Sequence, residues 1–394
     1  MEYPDWLNTS LLESALRVDQ RVVVRSFTAF PATEAGDNYT SNLFRVEVQY
    51  QLDQSDARTT SLIIKVPYCQ GMFKELSEKF DFFGAEPLLY NQLLPNMSKK
   101  MNCDFYPKSY PCSIKNGLIL EDLRPAGYVL KDRLVWLDFA HCKLVVENLA
   151  RFHAGSVACY QENPELVDKI GKEKFFVGER MKQWAESSFS ECAKTLAEIN
   201  ADRKFADLLT SKADGIWEST LNLIKPKPAS LNVLNHGDIW INNILFKYTQ
   251  SAEVSNLKFL DFQLTRYGSP VLDLIFFTWT SANEDVRENL EDLYKIYLQT
   301  LNQTLENLKC KERMSFETLQ KDLKTHSDWA LMVVCFINNF IMRGSEEFID
   351  VSSLTKEQQQ NISSDPRFPK VFRNKYYKPL LPGIARQLSQ WLEL

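Results

Sequence analysis

Histidine and paired cysteine are what this chain has little of. Its four histidines stand apart, and the eight cysteines (Cys69, Cys103, Cys112, Cys142, Cys159, Cys192, Cys310 and Cys335) form no CxxC pair. That spacing excludes a cysteine zinc site and a small disulfide scaffold, and each cysteine reads as a buried free thiol. An excess of positive charge is also missing. With 46 basic against 51 acidic residues the formal charge is −5, so nothing holds a polyanion and no nucleic-acid partner is expected. Long apolar runs are absent too. The longest, 329–337, stops at Asn338 and Asn339, short of the roughly 20 residues that cross a bilayer. Met-Glu-Tyr-Pro-Asp-Trp at the start lacks the basic and apolar regions of a secretory signal. The expectation is a soluble cytoplasmic protein that binds no membrane, with the Asn-x-Ser/Thr triplets at Asn8, Asn38, Asn96, Asn302 and Asn361 arising by chance.

What is present is ordinary globular composition, 44% apolar and 25% charged, enough to bury a core in two or three folding units or one two-lobed fold. No internal repeat interrupts the chain. Residues 21–30, 43–50 and 61–66 are rich in Val, Ile, Phe and Tyr, with Pro31, Gly36, Asn38 and Asp53 between them as turn formers. Three antiparallel strands follow from that pattern. Residues 118–120 supply a short buried strand, and Pro125 and Gly127 close behind mark a connection. The boundary falls there, giving a small N-terminal lobe, 1–122, and a larger one, 123–394. Beyond it Leu134, Leu137, Ala140, Leu144, Val145, Leu149 and Phe152 recur at helical spacing, as do apolar positions in 285–308 and 316–342. The second lobe is therefore expected to be mostly helical, with one β-rich island at 232–263.

That island carries the chemistry. It opens Asn235-His236-Gly237-Asp238-Ile239-Trp240-Ile241-Asn242-Asn243 and closes Phe259-Leu260-Asp261-Phe262-Gln263. Two acids and a carboxamide beside apolar strands are hard oxygen donors, the kind magnesium prefers, and magnesium needs only one or two carboxylates when phosphate oxygens complete its shell. Such a ligand set belongs to phosphoryl transfer. Asp238 is then left to accept or orient the proton of an attacking hydroxyl.

Here the sequence resembles the protein-kinase-like superfamily in its choline and aminoglycoside kinase branch. His236, Asp238 and Asn243 fit the catalytic-loop pattern HxDxxxxN, and Asp261 fits the metal-binding acid of the DFG-type motif. The longer form HGDxWxxNxLF, with DFQ downstream, is similar to the ecdysteroid kinase-like family, found chiefly in insects. Supporting matches run in family order: 36–41, Lys65-Val66-Pro67, Phe83-Gly84-Ala85-Glu86 with Tyr90, Leu120-Glu121-Asp122-Leu123, Leu149 to Ala154, and Ser269 to Leu274. The resemblance implies a bilobal α+β kinase-like fold with a small antiparallel sheet plus one helix and a larger helical lobe. It also implies ATP and Mg²⁺ as cofactors. Lys65 would pair with nucleotide phosphates and with Glu86, Asn38 and Ser41 would lie in the nucleotide-covering turn, and Glu121 and Leu123 would border the adenine. Asn243 and Asp261 would hold the metal and Asp238 would be the catalytic acid–base group.

The residues themselves add detail. Lys65 closes a buried strand, where an ammonium is costly without an anion. Pro87 disfavours helical dihedrals at Glu86 unless the proline sits in the first turn. His153 on an apolar helix face reads as a core histidine, and Asp273 as a capping or loop-bracing residue. Only twelve positions separate Asp261 from Asp273, leaving no room for a long activation loop. Gly237 stands where regulated protein kinases carry an arginine, and Gln263 where they carry glycine. A small-molecule kinase fits better than a protein kinase, with no obligate protein partner. Aromatic-rich 275–279 and 329–340 are mostly core and partly available to a lipophilic pocket. The acceptor implied is a hydroxyl of a sterol such as an ecdysteroid, or of a hydroxylated xenobiotic. The rival readings are a choline- or aminoglycoside-type kinase and a catalytically silent kinase-fold protein that binds a hydrophobic ligand.

Overall fold

The three β-rich runs form long antiparallel strands, β1 (Val22–Pro31), β2 (Ser41–Leu52) and β3 (Arg58–Pro67). The computed structural model that shows them describes residues 4–17, 21–32, 41–52, 56–67, 83–342 and 364–393. The two-residue β4 (Ser109–Tyr110) and β5 (Leu118–Glu121) complete one sheet in the order β1-β2-β3-β5-β4. One face is sealed by the helix α1 (Thr9–Leu16), whose Asn8 caps it by accepting from Leu11 N–H. Leu11, Leu12 and Ala15 pack there on Val24, Val46, Leu62, Ile64 and Ile119. Side chains alternate across a strand, so with Leu62 and Ile64 on the face toward α1, Lys65 belongs to the other face. In register it lies between Leu43 of β2 and Leu118 of β5, in the middle of the sheet.

Two compact units divide the chain, and the division is not a single cut after residue 122. The smaller comprises Met1–Asn96, Asp104–Val129 and Leu245–Gln263; the larger comprises Met97–Cys103, Leu130–Ile244 and Leu264–Leu394. The segment 245–263 joins the smaller unit through its own bonds: Phe259 N–H donates to Phe105 O, and Lys258 forms an ion pair with Asp104 at 2.6 Å.

The larger unit is mostly helical. Phe139–Glu162 begins only after Asp138, which caps it by accepting from His141 N–H. Leu134 and Leu137, read from sequence as helical, precede that cap: Leu134 is exposed and Leu137 bridges to Ala282. Helix Leu290–Asn307 packs along Phe139–Glu162. Helix Val271–Ser281 is buried at every position, polar residues included, and is therefore central. The two strands Val233–Asn235 and Arg266–Gly268 pair antiparallel, Asn235 opposite Arg266. No helix among the described residues is long and apolar enough to cross a membrane.

Candidate active site

Lys65 is 7% exposed and so must find anions. It finds two. Its Nζ donates to Glu86 Oε1 at 3.0 Å and to Asp261 Oδ1 at 2.8 Å, and Glu86 Oε2 lies at 2.9 Å. Glu86 is buried at the start of the short helix Ala85–Leu88, with Pro87 in the first turn, where a missing N–H costs nothing. The sequence obstacle to Glu86 is thus removed by position. The helix runs on through a π-helical turn, Leu89–Leu93, whose buried Tyr90 meets the ring of Phe262 edge-on at 5.6 Å. Two carboxylates share one ammonium, which leaves a surplus of one negative charge. Burial, reinforced by Asp261, raises Glu86 to about 7 against the opposing pull of Lys65 and the Phe262 N–H. Burial alone would lower Lys65, but the charges of Asp261 and Glu86 outweigh it and hold the ammonium above its ordinary value.

Asp261 adopts φ 60°, the left-handed region that non-glycine residues seldom occupy. Its side chain is 28% exposed, so the carboxylate that meets buried Lys65 also meets solvent. A half-exposed hard oxygen beside surplus negative charge suits a divalent cation.

The larger unit builds the second constellation. Directly after the strand Val233–Asn235, the backbone N–H groups of His236 and Gly237 donate to Asp273 at 2.6 and 2.9 Å. Asp273 also takes a bond from His153 Nε2 at 3.1 Å, while its own N–H donates to Asn235 Oδ1 at 3.2 Å. His153 Nδ1 lies 2.7 Å from Tyr297 Oη, which closes the buried chain. Burial would raise the Asp273 carboxyl, but the His153 bond and charge, then His236 and the Gly237 N–H, bring it below its ordinary value. Asp273 therefore braces the loop rather than capping a helix, and His153 is a satisfied core residue.

From that braced loop Asp238 emerges half-buried. Asn243 Nδ2 donates to Asp238 O and Oδ2, both at 2.8 Å, which fixes the carboxylate and leaves Asn243 Oδ1 without a partner among the described residues. Gly237 has φ 82°, and a Cβ there would sit 1.9 Å from Leu264 O. No side chain fits, so the arginine of regulated kinases has no place in this loop. Gly237→Ala is expected to cost at least about 1–3 kcal/mol of stability and to depress any Asp238-dependent rate. Urea midpoints of the two proteins measure the first effect, and an unchanged midpoint would contradict the close approach.

A model of the ecdysteroid kinase-like family matches residues 35–310, well over half of the chain. The chain belongs to the ecdysteroid kinase-like family. Its α+β architecture is the kinase-like fold. Among solved structures it is similar to an ethanolamine kinase of Plasmodium vivax at 15% identity, with 93% of this chain and 86% of that chain covered and a TM-score of 0.42. It is also similar to a choline/ethanolamine kinase family protein from Mesorhizobium loti at 11% identity, with 86% and 89% covered and a TM-score of 0.35. No curated protein matches the chain.

In this ecdysteroid kinase-like chain the expected site residues fall into two groups. Lys65, Glu86 and Asp261 meet in the smaller unit, and Asp238 and Asn243 meet in the larger. Of the nucleotide-covering turn, Ser41 is buried at the start of β2, whereas Asn38 lies outside the described residues. Glu121 ends β5, and its carboxylate accepts weakly from Lys108 N–H at 3.4 Å. Leu123 is buried; its carbonyl accepts from Ala126 and Tyr128, while its N–H has no acceptor among the described residues. Asp122 between them ties this segment to the sheet, accepting from Arg45 Nε at 2.8 Å and Ser61 Oγ at 2.7 Å. Sequence reading singled out neither Asp122 nor Asn235, because short polar residues beside a strand end carry no periodic signal.

Another residue it missed is Arg266. It is buried, 2.9 Å from Glu173, with its guanidinium 5.4 and 5.3 Å from the ring centres of Phe176 and Trp329. Glu173 is held by the N–H groups of Lys174, Phe175 and Phe176, and Lys174 Nζ donates to Ile170 O and Thr265 O. The segment that follows Asp261-Phe262-Gln263 is thereby pinned by an ion pair built from the chain's own residues.

Proposed function

We propose that this protein is an ATP-dependent kinase that phosphorylates a hydroxyl of a small lipophilic metabolite, an ecdysteroid or a hydroxylated xenobiotic. The observation that carries the reading is the buried Lys65 ammonium held by both Glu86 and Asp261. A lysine so enclosed is fixed in charge and position, as neutralising a triphosphate requires. Family membership supports the small-molecule acceptor, and no nucleic acid, membrane or obligate protein partner is invoked.

In this reading Lys65, ordered by Glu86, contacts the phosphates of ATP, and the uncommitted Leu123 N–H is offered to the adenine edge. Asp261 and Asn243 Oδ1 fit magnesium by the chemistry of their oxygens. When bound, the ion neutralises triphosphate charge. Asp238, held by Asn243, orients the acceptor hydroxyl and takes its proton as the hydroxyl oxygen attacks the γ-phosphorus and ADP leaves. The Asp273 brace keeps that carboxylate from drifting, so most of the rate comes from positioning.

Binding of Mg·ATP tests the reading without any knowledge of the acceptor. A ligand that binds the native state at a hundred times its Kd stabilises by about 2.7 kcal/mol, so the melting temperature is expected to rise by several degrees with Mg·ATP. No rise at millimolar Mg·ATP would favour the silent hydrophobic-ligand binder. Phosphorylation of aminoalcohols or aminoglycosides alone would favour the choline-type reading.

A further inference from the structure

Arg287, on the helix Glu284–Glu288, is a guanidinium that the larger unit buries to 9% exposure without an ion-pairing carboxylate among the described residues. The acids of its own helix are spent elsewhere: Glu284 and Glu288 pair with Arg386 at 2.7 and 3.3 Å. Arg287 instead donates from Nε to Gln387 Oε1 at 2.7 Å and from Nη1 to Ala282 O. Its cation lies 4.6 Å from the ring centre of Trp136 and 5.9 Å from that of Trp279. The carbonyl end of helix Val271–Ser281, just before Ala282, offsets part of the charge. These contacts use two of the five N–H groups of the fork, and Nη2 donates to no described residue. Burial lowers the Arg287 pKa to about 10, so it stays charged at neutral pH.

The same residue lines a cavity of about 530 Å³ whose walls include Leu290, Arg386, Gln390 and Trp391. Two acids also reach this wall, but Glu288 pairs with Arg386 and Glu291 with Lys295. A planar fork with its outer edge unspent is the donor pattern that matches a carboxylate or phosphate. The partly exposed indole of Trp391, with Leu290 beneath it, borders a depression that is open to solvent. We propose that this cavity is a ligand site for a small molecule with an oxyanion head, a carboxylate or a phosphate monoester, on Arg287 and an apolar body against Leu290 and Trp391. The inference stands apart from phosphoryl transfer, and its test needs no ATP.

Full-length protein is titrated with benzoate, phenyl phosphate and neutral benzyl alcohol while tryptophan emission and melting temperature are followed. At least one anion is expected to give a saturable emission change and a higher melting temperature, with benzyl alcohol giving neither. The tighter of the two anions identifies the preferred head. Trp391→Phe is expected to remove most of the emission change while the melting shift persists. Arg287→Lys removes the fork, and Gln390→Glu, at an exposed lining position, brings a repelling charge without disturbing the buried packing. Each is expected to weaken anion binding at least tenfold. No saturable response to either anion, or one that Gln390→Glu leaves unchanged, would overturn the proposal.

Discussion

Asp261→Asn is expected to abolish phosphoryl transfer while leaving the melting temperature of the ligand-free protein within a degree or two of wild type, on the order of the small effect of an uncharged isostere. Asparagine matches aspartate in shape and tolerates the left-handed backbone that Asp261 adopts at φ 60°. Its Oδ1 can still accept from Lys65. What disappears is one negative charge, and with it the surplus that suits a divalent cation. Lys65 then faces Glu86 alone, one charge against one, and Glu86 keeps the rise that burial causes but loses the smaller part due to Asp261. The fold keeps the Glu86 half of the Lys65 ion pair and an amide acceptor in place of the other half. On the proposed function the chemistry loses a magnesium ligand, and removal of one preorganised electrostatic group of this kind costs about a hundredfold to a thousandfold or more. Transfer read by mass, alongside a calorimetric melt, separates the two effects. Full activity in the variant would refute the assignment of Asp261.

Asp273→Ala carries the largest expected loss of stability. The carboxylate is 1% exposed and accepts from two backbone N–H groups and a histidine. Truncation strands all three donors in a place water does not reach, a defect of about 3–5 kcal/mol when a buried charged partner is removed. The pH dependence has a definite sign. Because the folded carboxyl lies below its ordinary value of 3.8, the unfolded chain takes up its proton first as pH falls. The stabilisation is therefore complete above that ordinary value and drains away as pH falls through the lowered folded one. Urea unfolding of wild type and Asp273→Asn at neutral pH and near pH 3 should show a large difference that narrows in acid. A difference that widened in acid would mean that the brace is not ionised.

The strands were legible because β-branched runs between turn formers leave little choice: 21–30, 43–50 and 61–66 became β1, β2 and β3 with ends displaced by one to three residues. Helix starts were less legible where a polar cap overrides periodicity. Leu134 and Leu137 continue the apolar spacing of the helix that follows, yet Asp138 begins it at Phe139. The π-helical turns at Leu89–Leu93 and Val333–Ile337 left no mark in the pattern at all, since one extra residue per turn changes no residue type. In the site, Lys65 could be found because an ammonium closing a buried strand is expensive, and the acids at 238 and 261 because they are hard oxygen donors whose spacing resembles the kinase-like catalytic pattern. The meeting of Lys65 with Glu86 and Asp261 joins residues 196 positions apart, and no spacing in the sequence supplies that, because the strand Val254–Phe259 before Asp261 belongs to a different sheet from β3. Asp273 was visible as an acid near a helix start, but its partners were not, because they are backbone N–H groups of a loop 36 residues earlier.

Phosphate transfer from ATP to a panel of hydroxylated sterols, aminoalcohols and glycosides, read by mass for wild type and Asp238→Asn, tests the assignment most directly. The expected result is a phosphorylated sterol or other lipophilic alcohol with wild type and none with the variant. Equal product from both proteins would contradict the role given to Asp238, and with it the reading of this chain as a kinase built on that loop.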